Sequence, residues 1–105
     1  MTEDARIVVT DAPGRQRFEV SVDGEPAGFL VYRSRKGLLA LIHTEVEERF
    51  EGRGLGGRLA RFALDQARER GLAVLPFCPF VNEWMKRHTE YVDLVPPAYR
   101  AEFDL

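Results

Sequence analysis

The run RFEGRGLGGRLARFALDQARERG, residues 49–71, constrains this chain more than any other stretch. Four glycines fall within six positions, from Gly52 to Gly57, and the next glycine is Gly71. Glycine at the mouth of a helix costs backbone entropy, so something there must require bare backbone. The residues after the glycines have helical spacing. Arg58, Arg61, Asp65, Arg68 and Glu69 fall within roughly 100° of arc on a 3.6-residue wheel. Leu55, Leu59, Phe62, Ala63 and Ala67 take the other side. The pattern predicts one amphipathic helix over Leu55 to Arg70, with Gly71 as its C-terminal stop.

Upstream of that helix the period is two. RIVVTD and RFEVSVD read as short strands separated by the turn chemistry of APGRQ. Phe18, Val20 and Val22 alternate with polar neighbours, as in a half-buried strand. Asp23-Gly24 is a hairpin signal, AGFLVYRS a third strand and Lys36-Gly37 the next turn. LLALIHTEV is nearly continuous in apolar residues, which predicts a fourth strand covered on both faces. Downstream, LAVLPF reads as a short buried strand, VNEWMKRH as a second helix and PPAYRAEF as a last helical turn. The expected fold is α+β: a four-strand antiparallel meander, a helix, a fifth strand parallel to the fourth, and short C-terminal helices. One domain spanning residues 1–105 is expected.

Bulk properties narrow the function. With 105 residues, 45% hydrophobic and 30% charged, the chain can bury one core. Its 15 basic and 17 acidic residues give a net charge of −2, which argues against a nucleic-acid partner. A small anionic ligand needs only a local site and stays open. The single cysteine, Cys78, excludes an internal disulfide framework, and no Cys/His spacing suggests a metal. The start MTEDARIVV lacks the form of a signal peptide, and no apolar run approaches a membrane span. A cytoplasmic location is therefore expected, as a monomer or weak dimer.

The glycine cluster supports two readings. It is a permissive strand-to-helix turn, or it is an anion site. In the second case the unpaired N–H groups and positive dipole end of the helix meet an anion with no Cβ in the way. Arg53 and Arg58 would add charge from the flanks. The spacing fits neither the P-loop nor the dinucleotide fingerprint, so ATP and NAD are poor candidates.

EGRGLGGRLARFALDQARERG resembles the pyrophosphate loop of the GNAT N-acetyltransferase superfamily, with signature Gln/Arg-x-x-Gly-x-Gly/Ala. Gly54 and Gly56 match its small positions, while Glu51 departs from the usual Gln or Arg. A frame shifted by two, Arg49-x-x-Gly52-x-Gly54, also fits. Together with PFCPFVNEWMKRHTEY downstream, the loop is similar to a short-form subfamily built of little more than the coenzyme A site.

The resemblance implies acetyl-CoA as co-substrate, without metal, and an amine acceptor. The diphosphate would lie on N–H groups from Arg53, Gly54, Leu55, Gly56 and Gly57. The pantetheine would slide between the fourth and fifth strands, against the backbone of Thr44, Glu45 and Val46. Asn82 would bond the pantetheine. The strand edges past His43 and Leu75 are then expected to be wet or distorted, because unpaired edges inside a fold are costly.

Acetyl transfer needs an amine that loses its proton, a polarised carbonyl and a stabilised thiolate. A backbone N–H near Glu45 or Val46 would polarise the carbonyl. Glu45 and Glu47 are either rim charges or bases. His43 is either a core histidine or a base facing the cleft, according to its side of the sheet. Cys78 is a small buried hydrophobe, a nucleophile or an acid toward the thiolate. The general acid Tyr of the superfamily has no clean match; His88 falls near its position and Tyr91 three residues on. Trp84 and Met85 read as packing, and Lys86 and Arg87 as solvated or reaching a ribose phosphate. Two functions are compatible with these residues: an acetyl-CoA-dependent N-acetyltransferase acting on a small or peptide amine, or a coenzyme A or acyl-CoA binding module with little turnover.

Overall fold

The computed structural model describes residues 6–105; the start of the signal-peptide reading, residues 1–5, lies outside them. Five strands form one sheet in sequence order: β1 (Ile7–Ala12), β2 (Arg17–Val22), β3 (Glu25–Arg35), β4 (Leu38–Val46) and β5 (Ala73–Pro76). The first four are antiparallel and β5 joins β4 in parallel. The crossover between them is α1 (Leu55–Arg70), capped at its C-terminus by Gly71. Then come α2 (Pro79–Arg87), a 3-10 segment (Thr89–Leu94) and the single turn α3 (Pro97–Arg100). The sequence does not mark the 3-10 segment, and α2 starts two residues earlier than VNEWMKRH suggests.

Alternation decides which side of the sheet is covered. Phe18, Val20 and Val22 of β2 point to one face with Leu30 and Tyr32 of β3 and Leu39 and Leu41 of β4, all buried. Against them pack Leu55, Leu59, Ala63, Leu64 and Ala67 of α1 and Val81 and Met85 of α2. Among the described residues the other face of the sheet carries no helix. The apolar run LLALI is accordingly not a doubly covered strand: Ile42 is 38% exposed. It reads as continuous because one residue is extra. Val31 pairs with His43 and Tyr32 with Leu41, so Ile42 has no partner and β4 bulges there.

Asp11 of β1 ties β3 and the end of α1 together. The Tyr32 hydroxyl donates to Asp11 Oδ1 at 2.7 Å, and Arg70 at the helix end donates to Asp11 Oδ2 at 3.1 Å. The polar stripe of α1 is only partly solvated, because the 3-10 segment docks on it. The Tyr91 hydroxyl donates to Asp65 Oδ1 at 2.6 Å, and Arg68 forks onto Asp93 with two bonds of 2.9 Å. Among the described residues no helix is long and apolar enough to cross a membrane.

Candidate active site

The glycine run has two different duties. Gly54 sits at the N-cap of α1 with φ +74°, and a Cβ there would meet nothing within 4 Å. Backbone conformation, not space, calls for glycine at that position. Gly56 is already helical, and a Cβ there would lie 2.8 Å from Phe80 Cζ. Close approach of α2 is what calls for glycine at Gly56. The result is a helix start with no side-chain cap, and among the described residues no backbone hydrogen bond reaches the N–H groups of residues 52–57. Successive free donors at the positive end of a 16-residue helix suit an anion.

Those donors border a cleft of about 340 Å³, lined by Gly52, Gly54, Leu55, Gly56 and Gly57 on one side. Thr44, Val46, Phe50 and Phe80 also line it, with Phe80 packed against Gly56. Glu51 also lines it, so the departure from the usual Gln or Arg places a carboxylate at the rim. Arg53 stands outside the lining, with its guanidinium 5.4 Å from the Phe50 ring centre. Phe50 and Phe80 are not legible as site residues in the sequence; their only signal is that they are aromatics beside the glycine run and Cys78.

The cleft leads to a split in the sheet. Pairing between β4 and β5 ends at Leu41 and Pro76, and the last bond across is Cys78 N–H to the Leu41 carbonyl at 2.8 Å. Phe77 N–H folds back onto the Leu75 carbonyl at 3.1 Å, which bends the end of β5 away. Beyond this point the β5-facing edge of residues 42–46 has no strand partner among the described residues. The opening begins two residues earlier on β4 than His43. At its apex Thr44 Oγ1 lies 3.2 Å from Cys78 Sγ. Cys78 is 2% exposed and immediately precedes Pro79, the first residue of α2.

The bulge at Ile42 sorts the remaining candidates. After it, Thr44 and Val46 turn to the cleft side while His43 and Glu45 turn to the open face. His43 Nε2 lies 3.1 Å from Glu45 Oε1, and both side chains are more than half exposed. Phe29 and Val31 of β3 are their cross-strand partners. His88 is elsewhere. It stacks on Trp84 with ring centres 3.6 Å apart, and its Nδ1 lies 2.8 Å from the Trp84 carbonyl oxygen. There it lines a separate depression of about 320 Å³ with Arg58, Arg61, Gly54 and Gly57, on the far side of the helix start. Asn82 Nδ2 donates to the Phe103 carbonyl at 2.9 Å, which commits that amide to the C-terminal tail. Tyr91 is also withdrawn from the cleft. Burial and its bond to Asp65 push its hydroxyl above the ordinary tyrosine range. The structure thus brings together Thr44, Val46, Cys78 and the glycine run, sets His43 with Glu45 across β4, and leaves His88 and Asn82 apart.

A helix start with bare donors thus opens onto a parallel strand pair that splits midway. Family comparison places this fold. Residues 17–94 match the sequence model described as GCN5-related N-acetyl-transferase, and the chain belongs to this family. Among curated proteins it is similar to Protein NATD1 of mouse, 30% identical over 87 residues, covering 79% of each chain. The human Protein NATD1 is equally similar, 30% identical over 87 residues, with 79% of this chain and 77% of the relative covered. In fold it resembles the solution structure of a GCN5-like protein from Staphylococcus aureus. The TM-score is 0.66 at 21% identity, over 85% of this chain and 87% of that one.

Proposed function

We propose that this chain transfers an acetyl group from acetyl-CoA to an amine. The observation that carries this is the uncapped start of α1, whose free N–H groups border a cleft leading to the β4–β5 split. A diphosphate fits those donors. The N–H groups of Arg53, Gly54, Leu55, Gly56 and Gly57 hold it, and the unpaired edge of Thr44, Glu45 and Val46 takes the pantetheine amides. Acetyl-CoA supplies an activated acyl carbon and a thiolate leaving group.

The chain's own residues handle the protons. With Glu45 accepting from Nε2–H, His43 keeps Nδ1 free to take the proton of an incoming ammonium. Cys78 Sγ–H and the Thr44 hydroxyl, joined at the apex, form the proton source for the departing thiolate. A backbone N–H of Glu45 or Val46 polarises the carbonyl. His43 stands on the open face and Thr44 on the cleft face, so an amine and a thioester approach from opposite sides of β4 and meet where the sheet is split. His88, beside Arg58 and Arg61, is placed to contact the coenzyme's outer, phosphorylated end rather than the reacting atoms.

One observation favours a second reading, a coenzyme A binding module. The β1–β2 connection is only the turn Pro13–Gln16, so no helical insertion there walls an acceptor pocket. Free-thiol detection with acetyl-CoA and a panel of amines separates the two. Thiol release with acetylated amine, falling at least tenfold in both His43→Gln and Cys78→Ala, is expected for the enzyme. Tight coenzyme binding with no release toward any amine overturns it in favour of the module.

A further inference from the structure

Resting on the transferase reading, we infer that the acceptor is a small ω-amino acid, held on the open face of the sheet by its ammonium and its carboxylate at once. The open face carries a second pocket, of about 230 Å³, lined by Arg15, Arg17, Glu19, Phe29, Glu45 and Glu47 among others. That volume falls below the roughly 300 Å³ where drug-sized pockets begin, which suits a short molecule. The strand register places its groups in order. Glu19 of β2 pairs with Phe29 of β3, and Phe29 pairs with Glu45 of β4; one rung along, Arg17 pairs with Val31 and Val31 with His43.

Charge differs between the two ends of these rungs. At the start of β2, Arg15 Nη1 from the preceding turn and Arg17 Nε both bond Glu19 Oε2, at 3.1 and 2.7 Å. Two guanidiniums share one carboxylate, so this end keeps a spare positive charge. Arg17 also lies over Phe29, 4.4 Å from the ring centre, which brings that charge into the pocket. At the end of β4, Glu47 shares the one guanidinium of Arg49 with Glu25, at 3.2 and 2.9 Å, and Glu45 meets the imidazole of His43. This end keeps a spare negative charge beside the base. The floor between them is the ring of Phe29.

Such a pocket matches a molecule with an ammonium at one end, a carboxylate at the other and methylenes between. The two ends lie two strand spacings, about 10 Å, apart across the sheet. Allowing for an ion contact of about 2.8 Å at each end, the amine and carboxylate are separated by roughly 4–5 Å. An α-amino acid is too short, and a diamine brings a cation against the guanidiniums. A four-carbon ω-amino acid fits extended, and a five-carbon one fits with its chain bent. The ammonium lies against Glu45 with His43 adjacent, where it loses a proton and the freed amine attacks the acyl carbon at the strand split. The C–N bond forms and the C–S bond breaks; the thiolate takes a proton at the Thr44–Cys78 apex, the attacking nitrogen sheds its remaining surplus proton to solvent, and the apex and His43 return to their starting states by proton exchange with solvent.

The test compares δ-aminovalerate, n-pentylamine, cadaverine and glycine as acceptors with acetyl-CoA. The wild type is set beside Arg17→Gln and the largely exposed Arg15→Gln, with thiol release and amide chemical shifts as readouts. δ-Aminovalerate is expected to exceed n-pentylamine in kcat/KM by roughly tenfold, with the ratio collapsing toward one in either variant. It should also shift the Phe29 and Glu45 amides in the absence of coenzyme. Equal use of n-pentylamine or cadaverine, or no shift at those amides, overturns the inference while the transferase reading stands. Shifts at those amides with no thiol release toward any amine leave the pocket in place and overturn the transferase reading.

Discussion

Gly56 is the sharpest test of how α1 and α2 meet at the site. Replacing it with alanine adds one methyl group in the first turn of α1. Helix propensity favours Ala over Gly by about 1 kcal/mol. The new Cβ, however, would lie 2.8 Å from Phe80 Cζ and 3.0 Å from Cε2, so the ring must move. Overpacking of this kind costs about 1–3 kcal/mol, and Phe80 belongs at the low end because it is 41% exposed and its ring can turn. The two effects nearly cancel, and Gly56→Ala alone should leave stability within about 1 kcal/mol of wild type. Removing the ring exposes the hidden term. In a Phe80→Ala background the same methyl should stabilise by about 1 kcal/mol, or roughly 4–6 °C in midpoint for a domain of this size. Urea unfolding followed by the fluorescence of Trp84, the one tryptophan in the sequence, measures all four corners of the cycle. A coupling energy of about 1–2 kcal/mol is expected. Coupling within about 0.3 kcal/mol of zero would show that the ring does not crowd this glycine, and the account of why α2 sits so close would fail.

Two further outcomes rest on charge. Glu51 places a carboxylate at the rim of the glycine cleft proposed to hold the diphosphate, so Glu51→Gln should tighten coenzyme A binding by about two- to fivefold at low salt, with the gain shrinking as salt is added; unchanged affinity by calorimetry would place the diphosphate elsewhere. Burial and the bond to Asp11 push Tyr32 up to about 12 from 10.0. Its protonated form is thus favoured in the folded state. That contribution is complete below pH 10 and is lost as pH rises through about 12, so Tyr32→Phe should flatten the alkaline fall in stability between those values. A slope equal to wild type would remove Tyr32 from the alkaline transition.

Much of the fold is written in local signals. Alternation in β2, the Asp23-Gly24 turn and the polar stripe of α1 between its glycines each depend on neighbours a few residues away, and each appears where those neighbours put it. The 3-10 segment cannot be read in the same way. It exists because Tyr91 and Asp93 find Asp65, Arg61 and Arg68 on a helix more than 20 residues earlier, and that stripe looks like any solvated face until a partner lies on it. The cleft divides along the same line. Its glycine wall is a sequence motif; Phe80 belongs to it only because α2 folds back across Gly56.

The assignment of His43 turns on one residue. In an unbroken strand the buried positions Leu39 and Leu41 would be followed on the same face by residues 43 and 45, so His43 and Glu45 would enter the core side and the glycine cleft. The extra residue Ile42 inverts that order. Thr44 and Val46 take the cleft, and the histidine–glutamate pair goes to the face without helices. An insertion of this kind is invisible to periodicity, because a run such as LLALI is apolar in either phase. The same bulge stands where β4 parts from β5. Opening the sheet and delivering the proposed base to the face opposite the glycine cleft are therefore one structural event. Deleting Ile42 should restore simple alternation, turn His43 inward and separate the base from the acceptor face, abolishing turnover in the thiol-release assay more completely than loss of the imidazole alone.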